Sequence, residues 1–249
     1  MLSFIIPAHD EEKLIGRTIE SIQDAAKPAD DHARPFEIIV ADDASTDATR
    51  RVAEQAGARV ITINRRHIAA ARNAGAAAAR GDVFIFVDAD TSMSEDVYRG
   101  TLAALADGAV GGGALVQFDP PVPLYVRLML PFALWVDRTF HMAAGCYIYA
   151  TRDAFTSVGG FNEALHAGEE TSFSRAMKKA GRFVVIDAPV TTSGRKLRAH
   201  SAMTIFGTML KLVVMMLFDR KAFADRKHFD LWYAPRRDDP KEQRSDERR

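Results

Sequence analysis

Val83-Phe84-Ile85-Phe86-Val87-Asp88-Ala89-Asp90 is the stretch on which the fold turns. Residues 83–87 are apolar without interruption, so they read as a strand buried on both faces, of the kind found in parallel sheets covered by helices. Two carboxylates, one residue apart, follow where that strand runs out. Working backward from it, residues 68–79 are an Ala-rich helix and residues 60–63 a strand. Residues 45–56 read as a helix opened by Ser45-Thr46-Asp47, and residues 36–41 as a strand. Residues 11–26 carry apolar side chains at helical spacing, and residues 2–6 are a strand closed by Pro7. This alternation predicts an α/β fold, a mostly parallel sheet with helices on both faces. Ligands of such sheets bind beyond the carboxyl ends of the strands, so the polar residues after each strand are the ones to weigh.

Working forward, the pattern loosens. Gly111-Gly112-Gly113 and Pro120-Pro121-Val122-Pro123 read as a flexible connection out of the first unit. Residues 124–136 are strongly apolar with one Arg. Residues 197–218 are the longest apolar stretch, with Ser201, Thr204, Thr208 and Lys211 as a narrow polar stripe and Arg195, Lys196, Arg198, Arg220 and Lys221 as basic flanks. Three readings of the helix at 202–218 stand side by side: a short bilayer span containing Lys211, a core or oligomer helix, and a helix lying in a membrane surface. From Arg236 onward apolar side chains are absent, which predicts a disordered tail.

The 249 residues suffice for a sizeable core, and 47% hydrophobic with 27% charged residues excludes wholesale disorder. Basic and acidic residues balance at 33 each, so net charge makes no case for a nucleic-acid partner. The single Cys146 excludes an internal disulfide framework and a Cys-rich zinc site, and reads as a packed small residue. The opening MLSFIIPAHDEE lacks a basic n-region, so a cytoplasmic protein is expected, peripheral at the inner face of the membrane if the apolar helix lies there.

Three strands deliver acids to one edge of the sheet: His9-Asp10-Glu11-Glu12, Asp42-Asp43, and Asp88-Ala89-Asp90. Clustered carboxylates repel unless a cation or hydrogen-bond donors hold them. Hard oxygen donors suit Mn2+ or Mg2+ whose other ligands are phosphate and water, although surface loops also produce Asp-x-Asp. Asp47 reads as a first-turn helix acid with Ser45 or Thr46 as cap. Glu169 reads either as a first-turn acid or as functional. Gly159-Gly160 reads as a turn, and His141, His166 and His200 are outside candidates for a further metal ligand.

SFIIPAHDEE, VADDASTD, ARNAG, FVDAD, GGFNE and GEETSFSRAMKKAG, in this order and spacing, resemble the family 2 glycosyltransferases of GT-A fold, over roughly residues 2–198. The resemblance implies a GT-A type Rossmann-like sheet divided into a nucleotide-sugar-binding half (1–114) and an acceptor-binding, catalytic half (115–200) of the same domain. An apolar, membrane-associated helical segment (201–235) and a disordered tail (236–249) would follow. It further implies an inverting, divalent-metal-dependent transfer from a nucleoside-diphosphate sugar, UDP-linked in first place, to a hydroxyl of a lipid or saccharide. Pro7, Ala8, His9 and Glu11 would line the base pocket. Asp43 would accept a hydrogen bond from uracil with Asp42 beside it, and Arg72 would lie near the nucleotide. Asp88 and Ala89 would approach the ribose, and Asp90 with Asp88 would hold Mn2+ or Mg2+ on the diphosphate. Residues 192–196, Arg195 among them, resemble a phosphate-contacting loop. Glu170 would be the base, in a Glu-Glu pair where the family has Glu-Asp. A membrane surface and a second copy of the chain are the partners to test.

The chemistry fits these assignments. A leaving diphosphate must be neutralised, and an acceptor hydroxyl must lose its proton to a fixed base. One base and one displacement imply inversion at the anomeric carbon. Glu170 opens a helix, where the dipole is expected to lower its pKa and keep it ionised. Competing classes are a metal-dependent phosphotransferase, which would carry its aspartate pair after the first strand, and a nucleotidyltransferase, which would carry a Gly- and Arg/Lys-rich loop where this chain has Pro7-Ala8-His9-Asp10-Glu11. A non-catalytic, membrane-peripheral nucleotide-binding module is the third.

Overall fold

Two strands without a single exposed residue form the centre of the sheet: β1 (Leu2–Ala8) and β4 (Val83–Val87). The computed structural model describes residues 1–27, 34–128, 143–199, 203, 204 and 207. Around β1 and β4 the chain forms α1 (Ile15–Ala26), β2 (Phe36–Asp43), α2 (Thr49–Gln55), β3 (Arg59–Ile63) and α3 (Ile68–Ala78). After β4 come β5 (Thr91–Ser92), α4 (Glu95–Ala106), β6 (Gly111–Phe118), β7 (Tyr147–Thr151), α5 (Arg152–Ser157), α6 (Glu169–Ala180), β8 (Phe183–Thr192) and α7 (Arg195–Ala199).

All eight strands join one sheet in the order β3-β2-β1-β4-β7-β6-β8-β5. β1 pairs in parallel with β2 and β4, β2 with β3, and β6 with β8, whereas β7 runs against both β4 and β6 and β5 runs against β8. Six strands therefore share one direction and end at one edge, as the apolar strand runs predict.

Side chains alternate between the faces of β1. Leu2, Phe4 and Ile6 pack with Ile15, Ile19 and Ile22 of α1 and Val97 of α4, while Ile5 faces α3 and the rings Phe84, Phe86, Phe155, Phe161 and Phe173. Phe161 stacks on Phe173 at 4.3 Å and meets Phe86 edge-on at 5.0 Å, so truncating Phe161 to Ala is expected to cost about 3–5 kcal/mol. α3 lies close on β1 because Gly75 is bare: a β-carbon there would overlap Ile5 Cγ2.

Two expectations are corrected. Gly111-Gly112-Gly113 is no flexible connection but the buried start of β6, between β7 and β8. A β-carbon on Gly112 would collide with the Val184 carbonyl and the Tyr149 ring, so the glycines permit close approach. The helix expected from Ser45 begins only at Thr49, because residues 45–48 are drawn into the site loops described below. β6 crosses the 114/115 division, with a register shift between Ala114 and Leu115. Residues 129–136 of the first apolar stretch, nearly all of the apolar segment 201–235, the tail 236–249, His141 and His200 lie outside the described residues. Among the described residues no helix is long and apolar enough to cross a membrane.

Candidate active site

The carboxyl ends of β1, β2 and β4 are laced together before any ligand enters. Asp43, ending β2, accepts the main-chain N–H of Arg65 and Arg66 on Oδ1 (2.7 and 2.8 Å) and that of His67 on Oδ2 (2.7 Å). This sets the start of α3, where His67 Nδ1 accepts from the Ala70 N–H as the cap. Asp42 accepts the Ser45 N–H, Asp10 accepts the Thr46 N–H at 2.7 Å, and Asp47 caps Thr49. Glu12 takes the Ala48 N–H, and the Glu11 N–H donates to Thr49 Oγ1. Asp47 and Ser45 are therefore structural but not in the roles expected of them: Asp47 precedes the helix instead of lying in its first turn, Ser45 does not cap it, and both tie the β1 and β2 loops together.

Consecutive residues of α3 then reach two further segments. Arg72 is 1% exposed; its Nη1 donates to Glu169 Oε1 (3.0 Å) and its Nη2 to Asp88 Oδ1 (3.0 Å) and the Gly145 carbonyl (2.7 Å). One guanidinium therefore joins the end of β4, the approach to β7 and the first turn of α6. Burial opposes its charge, but Asp88, Glu169 and Glu170 hold its pKa above the ordinary arginine value. Asn73 clamps the next segment, donating to the Phe161 carbonyl and Glu163 and accepting the Phe161 N–H, each at 2.9 Å. Beyond it, residues 158–163 and α6 border a cleft of about 540 Å³ that includes Asn73, Glu163 and Ser172. Gly159 and Gly160 form its turn, both with positive φ.

A second arginine closes the other side. β8 pairs with β5 through Thr192 and Thr91, and the Ser193 N–H donates to the Asp90 carbonyl. Arg195, in the next turn, puts Nη2 2.9 Å from Asp90 Oδ2 and 2.5 Å from Glu11 Oε1. Its Nε is buried with no hydrogen-bond partner among the described residues. A single cationic nitrogen thus bridges two carboxylates at the end of the Asp-x-Asp run. Hard oxygens arranged to share one positive charge fit a divalent ion such as Mn2+ or Mg2+. Among the described residues no three acidic, imidazole or thiol groups converge on one point, so Asp90 and Asp88 would leave remaining positions to phosphate oxygens and water. Burial raises the Asp88 carboxyl above its ordinary value, and Asp90 adds to this against the pull of Arg72.

Glu170 stands beside this junction, its side chain against Gly145. The expectation of a lowered pKa is overturned. Burial and the neighbouring Glu169 push Glu170 up to about 8, outweighing its main-chain hydrogen bond at the helix start and the attraction of Arg72.

Asp88, Asp90, Glu11, Arg72, Arg195 and Glu170 therefore meet at one edge, whereas Asp43 faces the main chain of residues 65–67. Pro7 and Ala8 are buried in β1, and Ala89 is buried with its carbonyl accepting from Thr18 Oγ1 at 2.9 Å. His9 sits with its Nδ1 3.1 Å from Arg66 Nη1 and its Nε2 3.1 Å from Asp10. His166 packs its ring 4.6 Å from that of His67. Sequence reasoning missed Asn73, Gly145 and Arg66; Asn73 stood inside the ARNAG run and Arg66 in a basic pair just after β3, whereas Gly145 had no local signal.

The same architecture occurs in solved proteins. The TarS fragment 1-349 of S. aureus in complex with UDP-GlcNAc superposes with a TM-score of 0.61 at 18% identity, covering 94% of this chain and 72% of that one. Glucosyl-3-phosphoglycerate synthase of Mycobacterium tuberculosis, in complex with Mn2+, UDP and phosphoglyceric acid, gives 0.60 at 21% identity, covering 91% and 80%. At these identities the likeness establishes the fold, a GT-A type Rossmann-like sheet. Validoxylamine A glucosyltransferase of Streptomyces hygroscopicus subsp. limoneus is 30% identical over 132 residues, 49% of this chain. The chain spans little more than a quarter of that relative, 28% of its length. Residues 3–157, well over half of the chain, match the family model described as Glycosyl transferase family 2, with every acid of β1, β2 and β4 inside the match. The chain belongs to glycosyl transferase family 2.

Proposed function

We propose that the protein is an inverting glycosyltransferase that moves a sugar from a nucleoside-diphosphate donor, UDP-linked in first place, to a hydroxyl acceptor. The observation that carries this reading is the gathering of Asp88, Asp90 and Arg195 at the end of β4 with Arg72, whose charge also acts on Glu170. Asp90 and Asp88 would hold Mn2+ or Mg2+, which neutralises the charge developing on the leaving diphosphate. Arg195 is close enough to Asp90 to move its charge onto a phosphate oxygen. Arg72 keeps Asp88 and Glu169 at fixed separation. Glu170, with a pKa near working pH, takes the acceptor proton as the hydroxyl oxygen attacks the anomeric carbon from the side opposite the diphosphate. Complexes of the two structural neighbours with UDP-GlcNAc and with Mn2+ and UDP support this donor class.

Calorimetric titration of UDP and GDP, with and without Mn2+, tests the donor site. Mn2+-dependent UDP binding that Asp90→Ala abolishes is the expected result; binding indifferent to both Mn2+ and Asp90 would sink the metal assignment. Glu170→Gln should bind UDP normally and lose about 10²–10⁴-fold in transfer rate. Retained transfer in that variant would remove Glu170 from the base role.

A further inference from the structure

We propose that Arg66 reads the edge of the nucleobase and confines the donor to bases with a carbonyl oxygen there, uracil O4 or guanine O6, against cytosine and adenine, which present an amino group. This rests on the nucleotide-sugar reading above and specifies it. Arg66 is not glycine, yet its φ is 49°, in the left-handed region that side chains rarely adopt. Asp43 holds it there through the paired N–H groups of Arg65 and Arg66. Non-glycine residues kept in that conformation cluster where a side chain must be aimed.

The aim is toward the candidate base pocket. Arg66 Nη1 lies 3.1 Å from His9 Nδ1, and a guanidinium can only donate. His9 Nδ1 is therefore the acceptor, and the ring proton sits on Nε2, directed at Asp10 Oδ2 at 3.1 Å. This contact bridges the loop after β1 and the loop after β3, across the end of β2. Nε and Nη2 of Arg66 make no hydrogen bond among the described residues. Asp43 has both carboxylate oxygens on main-chain N–H groups, so the guanidinium of Arg66 is the donor this loop offers to a base edge. Donors accept company from a carbonyl edge and are left facing other donors by an amino edge.

The test titrates UDP, CDP, GDP and ADP, each with Mn2+, into the full chain, into Arg66→Gly and into Arg66→Lys. UDP and CDP differ at C4, a carbonyl against an amino group, and in the N3 proton that accompanies the carbonyl. Arg66→Gly suits the left-handed backbone, and a thermal melt no lower than wild type shows that the fold is intact. Wild type should favour UDP over CDP by about tenfold or more, and Arg66→Gly should bring UDP down to the level of CDP while leaving CDP unchanged. Arg66→Lys, lacking the planar fork, should recover only part of the preference. An unchanged UDP/CDP ratio in Arg66→Gly overturns the proposal. So does an equal loss for both, which would place Arg66 on the phosphates. Equal wild-type binding of all four diphosphates overturns the role of Arg66 and leaves the donor class standing. Wild type that binds none of them removes the nucleotide-sugar reading and this proposal together.

Discussion

Arg72 and Arg195 each bridge two carboxylates at the same sheet edge, but they are held very differently. Arg72 projects from the middle of an 11-residue helix with six buried residues and is itself 1% exposed. Arg195 opens a five-residue helix with no buried residue and is 13% exposed. Moving the first requires α3 to leave β1. Moving the second requires only a turn beyond β8 to shift. The same guanidinium–carboxylate chemistry therefore serves as permanent scaffold in one place and as an exchangeable contact in the other. Burial of the carrier element decides which, because Coulomb attraction strengthens as water is excluded while unpaired charge becomes harder to tolerate.

The sharpest way to break this comparison is Arg72→Met. Leaving Glu169 and Asp88 without their cation should destabilise the fold by about 3–5 kcal/mol in a urea melt. A loss below about 1 kcal/mol would mean that Arg72 is as dispensable as a surface ion pair.

The next effect concerns Glu170, whose folded-state pKa is raised from an ordinary 4.5 to about 8. Between those values the folded protein keeps a proton that the unfolded chain has released. Stability should therefore fall as pH rises through this window. Glu170→Gln should flatten the slope and be more stable than wild type at pH 8 by about 2 kcal/mol, allowing for screening at a half-buried site. Transfer by the wild type should rise over the same window, because only the ionised form accepts a proton. A rate already at its plateau at pH 6 would show that donor binding restores a low pKa.

The smallest effect on stability is predicted for Arg195→Gln, about 1–2 kcal/mol, because Asp90 can rehydrate at the rim while Glu11 stays buried without its cation. Its signature lies elsewhere. Without nucleotide, Mn2+ should bind the variant about three- to tenfold tighter, since Asp90 no longer shares its charge with a guanidinium, while UDP with Mn2+ should bind more weakly. Weaker Mn2+ binding in the free variant would make Arg195 a support for Asp90 rather than its competitor.

Much of this was legible without coordinates. Phe84 to Val87 could only be a doubly buried strand, and Asp88 and Asp90 had to emerge at its end. Partnerships were not legible. Arg72 and Glu169 are 97 residues apart, and nothing local in either segment announces the other. Asp43 looks like a ligand residue by composition, yet its oxygens are directed to main-chain N–H groups 22 to 24 residues on, which no side-chain pattern encodes. The Glu170 pKa was misjudged for a related reason: the helix terminus is visible in sequence, whereas burial and the like charge of Glu169 act through packing. Three successive glycines suggested a hinge because their close neighbours, Tyr149 and Val184, come from distant strands.

The reversed direction of β7 has a practical consequence. β6 leaves the sheet, and β7 re-enters it, at the edge where Asp88 and Asp90 emerge, so residues 119–146 begin and end on the same rim. The fold thus resembles a socket: both ends of the segment between β6 and β7 meet the sheet on the acid-bearing rim, while Gly145 and Cys146 at its close stay tied to Arg72 and Asp88. Grafting a foreign segment for residues 120–142 should leave nucleotide affinity in place, and any change in the acceptor used would be read against that fixed donor site.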